Sequence, residues 1–251
     1  MNKNISIITL FPEMFAAIDY GVVGSFIAEK NILMHYFNPR DYSDRSDRRI
    51  DDKVYGGGPG MLMQFDPVHR AIVAARKVSK AKPKVICFSP SGRKLDNEYI
   101  AKLSNSESVI MISGRYEGID ARIMSEVDDV VSIGDYVLSG GEFAAMTVID
   151  AMVRLMPGCL GNDFSAADDS FSHGLLEGPQ YTRPAVVNGV AVPDVLRSGN
   201  SAAIAKWKMR ESLGVTWQKR PDLLLGRLDC KMRKMLLEYV LNYLTNYRGE
   251  L

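Results

Sequence analysis

Five short runs of apolar and β-branched residues alternate with stretches of helical periodicity, and this alternation constrains the fold more than any other feature. The apolar runs are 5–10, 33–37, 84–88, 108–112 and 129–133. The stretches with helical spacing are 66–78, 97–103 and 142–155. Such alternation is typical of a mostly parallel sheet with helices on both faces. We therefore predict an α/β fold whose ligand-binding loops lie at the carboxyl ends of the strands.

Two glycine-rich loops, 114–120 and 132–142, each follow an apolar run and carry charged side chains. Glycine lets backbone amides and carbonyls approach a ligand closely, because no Cβ intervenes and positive φ costs little. A single glycine pair is more often an ordinary turn. Two such loops close together favour a ligand-binding site, and a third loop, Ser89-Pro90-Ser91-Gly92, follows the run 84–88.

The segment 40–49 is polar and rich in Arg and Asp, and it leads through residues 51–55 into the sequence Gly56-Gly57-Gly58-Pro59-Gly60. We predict that this region is a mobile loop that exposes its backbone. It matches neither the dinucleotide-binding pattern Gly-x-Gly-x-x-Gly nor the phosphate-binding pattern Gly-x-x-x-x-Gly-Lys-Ser/Thr. A dinucleotide fold and an NTPase phosphate loop are therefore not favoured.

The C-terminal part of the chain has a different organisation. Between residues 156 and about 195 the periodicity gives way to Pro, Gly, Asp and Ser, which indicates a linker. Asn200 can cap a helix over 201–213 that ends at Gly214, and a final helix is expected over 229–247. We therefore expect three parts, namely an α/β domain at 1–160, a linker at 161–195 and a small, basic helical domain at 196–251.

Charge is distributed unevenly along the chain, although the net charge is only +1. Residues 201–251 contain 10 Lys or Arg and 5 Asp or Glu, whereas residues 1–200 contain 21 and 25. A basic module of this kind is typical of proteins that bind a polyanion such as RNA or DNA. A solvated helix surface would have the same composition, so charge alone leaves both interpretations open.

The cysteines and histidines form no pattern for metal or disulfide chemistry. Cys87, Cys159 and Cys230 are widely spaced and odd in number, and the three histidines are scattered. We therefore expect neither a metal site nor a disulfide framework. The apolar run 5–10 is too short for a signal peptide and no run reaches membrane-spanning length, so we expect a cytoplasmic protein without a membrane partner.

Five motifs carry a resemblance to a known family. They are Tyr55-Gly56-Gly57-Gly58-Pro59-Gly60-Met61, Ser89-Pro90-x-Gly92-Arg93, the loops 114–120 and 132–142, and Tyr181-Thr182-Arg183-Pro184. In this order they cover nearly the whole chain and closely resemble bacterial tRNA (guanine-N1)-methyltransferase, a family of the SPOUT superfamily. The resemblance implies a trefoil knot in the C-terminal part of the α/β domain and S-adenosylmethionine as the methyl donor. It also implies an obligate homodimer whose active sites combine both subunits.

The same resemblance implies the substrate. The family methylates N1 of the guanosine immediately 3′ of the anticodon when another guanosine precedes it. The partner expected for the basic C-terminal helices and for the loop 41–60 is therefore the anticodon branch of tRNA, and not DNA. Contacts to phosphates would weaken with added salt.

The family binds the methyl donor through three loops at strand ends, and the resemblance assigns that role to the matching positions. They are Ser89, Pro90, Gly114, Tyr116, Glu117, Gly118, Ile133, Gly134, Asp135, Tyr136, Val137, Leu138, Gly140 and Gly141. Most would act through backbone groups, which accounts for the glycines. Glu117 also matches a position that the family links to a magnesium dependence, so the resemblance raises Mg²⁺ as a second cofactor. No carboxylate cluster in the sequence indicates such an ion.

Methylation at N1 needs a base that removes the N1 proton and a cation that stabilises charge developing on O6. The resemblance assigns the base to Asp169, with the neighbouring Asp168 as a competitor. It assigns the cation to Arg154, near the end of the predicted helix 142–155. Without the resemblance, Arg154 would be interpreted as a residue that caps its helix, and a linker carboxylate as a solvated side chain.

The sequence departs from the family pattern at two places. Phe143-Ala144 follows Gly-Gly-Glu where Leu-Pro is usual, and Glu177 stands where a shorter Asp is expected to contact the amino group of the methyl donor. Two other hypotheses stay open, namely a knotted methyltransferase that modifies another RNA atom, such as a ribose hydroxyl, and a non-catalytic RNA-binding protein. The presence of Arg154 and Asp169 in their motifs argues against the non-catalytic protein.

Overall fold

The computed structural model describes residues 3–161 and 169–247, with side chains up to residue 245. The chain divides into two compact units, residues 1–161 (unit 1) and residues 162–251 (unit 2). Asp168, the expected competitor of Asp169, lies outside the described residues. Within the described ranges no helix is long and apolar enough to span a membrane.

Unit 1 is built on a parallel sheet. Its strands and α-helices are, in chain order, β1 (Asn4–Ile8), α1 (Gly21–Glu29), β2 (Leu33–Phe37), β3 (Asp51–Lys53), β4 (Met61–Met63), α2 (Phe65–Lys77), β5 (Lys84–Lys94), α3 (Asn97–Ser104), β6 (Ser108–Ile112), β7 (Asp129–Ser132) and α4 (Glu142–Arg154). Short 3-10 helices cover Pro12–Asp19, Pro39–Tyr42 and Ala121–Glu126. The main sheet has the order β2-β1-β6-β5-β7, with every neighbouring pair parallel. The predicted α/β fold with a mostly parallel sheet is confirmed.

Alternate residues of the central strands face two separate hydrophobic cores. Ile5 and Ile7 of β1 pack in a core with residues of α1, α3 and α4, whereas Ile8 packs in a second core with α2. In β6, Val109 and Ile110 face these two cores in the same alternating way. Helices therefore cover both faces of the sheet. Because both faces of the sheet are buried, these strands do not show the alternation of buried apolar and exposed polar residues that is typical of a half-exposed strand.

Part of the region that was predicted to be a mobile loop is a β-hairpin. β3 pairs with β4 in antiparallel orientation, and Asp51 lies opposite Met63. All four glycines of residues 56–60 have positive φ, a conformation that favours glycine, so they turn the chain between the strands. The prediction of a loop was wrong for residues 51–53. Three-residue strands are too short to produce a recognisable alternation in sequence.

Strand β5 continues beyond the predicted run to Lys94. It pairs with β7, shifts its register and pairs with β7 again at Arg93 and Lys94. Residues 89–92, predicted to be a loop after the strand, therefore form a bulge within it. A Cβ at Gly92 would lie 2.5 Å from the backbone nitrogen of Val131, so glycine is required for this close approach.

Unit 2 is a smaller, mainly helical body. Its elements are β8 (Val186–Val187), β9 (Val190–Ala191), α5 (Asp194–Arg197), α6 (Ser201–Lys219), a 3-10 helix (Pro221–Leu224) and α7 (Cys230–Tyr247). The hydrophobic core of the unit is formed by Leu175, Leu213, Leu224 and Met235. The antiparallel hairpin of β8 and β9 and the helix α5 lie within or at the end of the segment that was expected to be a linker.

The helix predicted over 201–213 does not end at Gly214. Helix α6 continues to Lys219, and Gly214 is buried within it. A Cβ at position 214 would overlap the ring of Tyr239 in α7. The glycine therefore permits close packing of two helices, whereas the sequence rule interprets a glycine at such a position as a helix end.

Lys3 is a buried residue that satisfies the end of α3. Its side chain is 3% exposed, and its Nζ donates hydrogen bonds to the carbonyls of Leu103 at 2.9 Å, Ser104 at 2.8 Å and Ser106 at 2.6 Å. Carbonyls at the end of a helix have no partner within the helix. Lys3 therefore supplies the donors that these groups would otherwise lack.

We predict that Lys3→Met lowers the free energy of unfolding by about 1–3 kcal/mol, because buried carbonyls would lose their donor. Lys102→Met is the matched control. Lys102 is exposed and pairs with Glu98 at 2.6 Å on the same helix, so its loss should cost about 0.5 kcal/mol or less. Urea unfolding measures both variants, and equal effects of the two substitutions would contradict the capping role of Lys3.

Candidate functional site

A crevice of about 530 Å³ lies at the bulge within β5 and at the carboxyl ends of β6 and β7. It is lined by residues 87–91, 114–119 and 130–141, except Asp135, together with two residues from neighbouring elements, Met124 and Ala144. All three loops that were predicted as ligand loops therefore meet at one edge of the parallel sheet. Crevices in this position are the usual ligand sites of open parallel sheets.

Most of the residues that the resemblance assigns to the methyl donor line this crevice. They are Ser89, Pro90, Gly114, Tyr116, Glu117, Gly118, Ile133, Gly134, Tyr136, Val137, Leu138, Gly140 and Gly141. Asp135 does not line it. Its side chain is 91% exposed, and its carboxylate lies 3.8 Å from the Nζ of Lys94.

A backbone contact joins the loop after β6 to the loop after β7. The N–H of Gly141 donates a hydrogen bond to the carbonyl of Gly114 at 2.9 Å. A Cβ at position 141 would lie 2.7 Å from the Cα of Ser113, well inside the ordinary carbon–carbon contact distance. Position 141 therefore requires glycine, and the two loops form a continuous wall of the crevice.

The hairpin of β3 and β4 is bonded to the loop after β6. The N–H of Glu117 donates to the carbonyl of Met61 at 2.9 Å, and the N–H of Met63 donates to the carbonyl of Gly118 at 3.0 Å. A Cβ at Gly60 would overlap the side chain of Glu117. The glycine-rich turn is therefore held beside the loop that carries Glu117.

A buried ion pair connects Arg115, which lines the crevice, to Glu142, the first residue of α4. The Nε of Arg115 lies 2.9 Å from Oε2 of Glu142, whose side chain is 0% exposed. The hydroxyl of Thr9 donates to Oε1 of Glu142 at 3.0 Å. A carboxylate in the first turn of a helix also interacts favourably with the helix dipole. Glu142 therefore connects the loop after β6, the residue that follows β1 and the start of α4.

Two types of chemistry do not fit the crevice. Burial raises the pKa of the Cys87 thiol to about 11, so this lining residue stays protonated at neutral pH and is no nucleophile. Among residues 3–161 and 169–247, no three His, Cys, Asp or Glu side chains are placed to hold a metal ion. A metal ion held by three such side chains is therefore not provided for in this part of the chain.

Arg154 lies at the opposite end of α4 from the crevice. The helix begins beside the crevice at Glu142 and ends at Arg154. With a rise of about 1.5 Å per residue, the two ends are about 18 Å apart. The structure therefore does not bring Arg154 to the crevice of the same chain.

Asp169 belongs to unit 2. It precedes a turn in which the N–H of Phe171 donates to the carbonyl of Leu175 at 2.7 Å. Leu176, which follows Leu175, donates its N–H to the hydroxyl of Thr216 in α6 at 2.9 Å. The segment that carries Asp169 is therefore bonded to the helical part of unit 2.

The sequence interpretation missed several residues that line the crevice. Those within the recognised loops are Ser91, Arg115, Ile119, Ser132 and Ser139, and those outside the loops are Cys87, Phe88, Met124, Val130, Val131 and Ala144. The first group could have been found from its position in the glycine-rich loops. The second group consists mainly of strand ends, and Met124 and Ala144 reach the crevice only through tertiary packing.

The fold and the crevice together define a class of protein. It is an α/β protein with a crevice at the ends of parallel strands, lined by glycine-rich backbone and a few polar side chains, in the position where such folds usually hold ligands. Comparison with known proteins then gives the family. The family model described as tRNA (guanine-1)-methyltransferase TrmD matches residues 3–226.

The chain is also similar along its whole length to proteins named tRNA (guanine-N(1)-)-methyltransferase. It is 49% identical over 251 residues to that of Halorhodospira halophila, which covers 99% of this chain and 95% of the relative. It is 51% identical over 243 residues to that of Photobacterium profundum, which covers 95% and 97%. The chain therefore belongs to the tRNA (guanine-N1)-methyltransferase family.

We predict that Gly141→Ala lowers the free energy of unfolding by about 1–3 kcal/mol. The new Cβ must displace the backbone of Ser113 and Gly114, which cannot move aside as a flexible side chain can. Gly161→Ala is the control, because a Cβ there meets nothing within 4 Å. It should change stability by about 0.5 kcal/mol or less. Urea unfolding compares the two, and a neutral Gly141→Ala would contradict the backbone contact between the loops.

Proposed function

We propose that this chain transfers the methyl group of S-adenosylmethionine to N1 of the guanosine immediately 3′ of the anticodon in tRNA. The activity follows from family membership, and the observation that carries it is the near full-length similarity to tRNA (guanine-N(1)-)-methyltransferases. The basic balance of residues 201–251 agrees with an RNA partner. We place the activity in the cytoplasm. We propose neither DNA nor a membrane as a partner.

The crevice in unit 1 is the proposed site for S-adenosylmethionine. Its volume of about 530 Å³ lies within the range of small-molecule sites. Gly114, Gly140 and Gly141 expose backbone to it, and residues 133–138, except Asp135, form a further part of its lining. When bound there, S-adenosylmethionine supplies a methyl group on a sulfonium, which is a strong electrophile. Glu117 is the residue that would offer a carboxylate to Mg²⁺, an ion that is usually bound through one or two carboxylates together with water and ligand oxygens.

Asp169 is the proposed general base and Arg154 the proposed cation. N1 of guanine carries a proton, so Asp169 would accept that proton as N1 becomes the nucleophile. Negative charge then develops on O6, where the guanidinium of Arg154 would offset it. These two side chains do the chemistry that the crevice itself does not provide.

A homodimer is proposed because one chain cannot place Arg154 beside its own crevice. The crevice and Arg154 are separated by the length of α4, about 18 Å. A second copy could present its own Arg154 to the crevice of the first. Each active site would then use the crevice of one protomer and the arginine of its partner.

A trefoil knot is proposed for the part of unit 1 that forms the crevice. After β7 at the edge of the sheet, the chain returns across the neighbouring strand, and Gly141 bonds to Gly114 at the end of β6. The backbone at Gly92 and Gly141 packs so closely against other strands that a Cβ would overlap backbone atoms at either position. Such tight backbone crossings support a threaded chain, although knots are rare among protein folds.

The partner surface for tRNA is proposed to include α6 and α7. Lys206, Lys208, Lys231, Arg233 and Lys234 are exposed on these two helices. Exposed cations at such positions can neutralise phosphates and release counterions. Binding of the anticodon branch would then weaken as the salt concentration increases.

The test of the proposed function is a methyl-transfer assay with labelled S-adenosylmethionine and two tRNA transcripts, one with guanosine and one with adenosine 3′ of the anticodon. We expect label only in the first transcript, recovered as 1-methylguanosine. Equal label in both transcripts, or label on a ribose, would contradict the target atom. Absence of label from a protein that binds S-adenosylhomocysteine would contradict the enzymatic activity.

We predict that Asp169→Asn lowers kcat by about 10²–10⁴, because the amide cannot accept the N1 proton. The dissociation constant for S-adenosylhomocysteine should stay within about twofold of the wild-type value, since no interaction with the donor is removed. Asp168→Asn is the matched control and should keep its kcat. Loss of activity in Asp168→Asn, with an active Asp169→Asn, would assign the base to Asp168.

A further inference from the structure

The carboxylate of Glu142 is fully buried, with one oxygen in a hydrogen bond and the other in an ion pair that lacks hydrogen-bond geometry. Its side chain is 0% exposed. Oε1 accepts a hydrogen bond from the hydroxyl of Thr9 at 3.0 Å, and Oε2 lies 2.9 Å from Nε of Arg115. A buried charge is tolerated only when it is paired and hydrogen-bonded. The position of Glu142 therefore fixes the position of the guanidinium that it pairs with.

The guanidinium of Arg115 in turn contacts the other crevice loop. Its Nη1 donates to the carbonyl of Ser139 at 3.2 Å, and its Cζ lies 4.6 Å from the centre of the Phe11 ring. Arg115 belongs to the loop after β6 and Ser139 to the loop after β7. One guanidinium therefore holds both loops, through an ion pair to the start of α4 and a hydrogen bond to a backbone carbonyl.

Gly140 packs directly on this ion pair. A Cβ at position 140 would overlap the guanidinium of Arg115 and would lie 2.5 Å from Oε2 of Glu142. Gly140, Arg115 and Ser139 all line the crevice. The shape of the wall between the two loops therefore depends on where the ion pair sits.

We infer that Arg115 and Glu142 are a positioning pair that sets the spacing of the two crevice loops and thereby the affinity for the methyl donor. This inference rests on the proposed function, because it takes the crevice to be the donor site. Arginine is needed because its planar fork can bind Glu142 and Ser139 at the same time, whereas the single ammonium of lysine cannot match both directions. Glu142 acts through Arg115, since Glu142 itself does not line the crevice.

The test uses full-length Glu142→Gln and Arg115→Lys proteins. Calorimetric titration with S-adenosylhomocysteine measures affinity, and steady-state kinetics measures KM for S-adenosylmethionine, KM for tRNA and kcat. We expect at least a tenfold increase in the dissociation constant and in KM for S-adenosylmethionine. The KM for tRNA and the kcat at saturating donor should stay within about threefold of the wild-type values, because an interaction with the bound donor alone is weakened.

A purely structural role predicts a different result, and Val148→Ala separates the two. Val148 lies in the same helix as Glu142 and is 0% exposed, but it does not line the crevice. Its truncation leaves a cavity and lowers the melting temperature without touching the ion pair. We expect wild-type affinity from Val148→Ala. Equal loss of affinity in Val148→Ala and Glu142→Gln, at similar losses of melting temperature, would overturn the inference.

The double variant Arg115→Met with Glu142→Met keeps the inference testable if the single variants unfold. Replacing both members of a buried ion pair by apolar side chains is often neutral for stability. We expect a folded protein with at least tenfold weaker binding of S-adenosylhomocysteine. Wild-type affinity in this variant would overturn the inference, whereas failure of the wild-type protein to bind would overturn the proposed donor site itself.

Discussion

The crevice depends on one backbone contact, the hydrogen bond from Gly141 to the carbonyl of Gly114 at 2.9 Å. It holds the loop after β7 against the loop after β6, at the edge where parallel strands end. The approach is so close that position 141 has no room for a Cβ. The buried pair of Arg115 and Glu142 connects the same two loops, and the hairpin of β3 and β4 is bonded to the loop after β6.

The two units carry different parts of the proposed reaction. Unit 1 supplies the crevice and, at the far end of α4, Arg154. Unit 2 supplies Asp169, on a segment bonded to Thr216 of α6, and the exposed cations of α6 and α7. An RNA that binds these helices would contact the same unit that holds the proposed base. Recognition of the substrate and placement of the base are thereby combined in one body.

The sequence predicted the parallel sheet and the loops after β6 and β7 because these features are local. Buried strands are apolar on both faces, and glycines mark the places where backbones approach one another. Prediction from the sequence failed where the decisive contact joins residues that are far apart along the chain. Gly214 looks like a helix end until Tyr239 is packed against it, and β3 is too short to show periodicity. The pairing of Arg115 with Glu142 connects two loops, and nothing in either loop alone indicates it. The roles of Asp169 and Arg154 came only from the resemblance.

Binding of S-adenosylmethionine in the crevice formed by the bulge of β5 and the ends of β6 and β7 underlies the proposed reaction. Hydrogen–deuterium exchange with and without S-adenosylhomocysteine tests it most directly, because bound backbone amides exchange more slowly. We expect slower exchange in residues 89–92, 114–118 and 133–141, with no change in α7. Unchanged exchange in all three loops at a saturating ligand concentration, or slower exchange confined to unit 2, would contradict it.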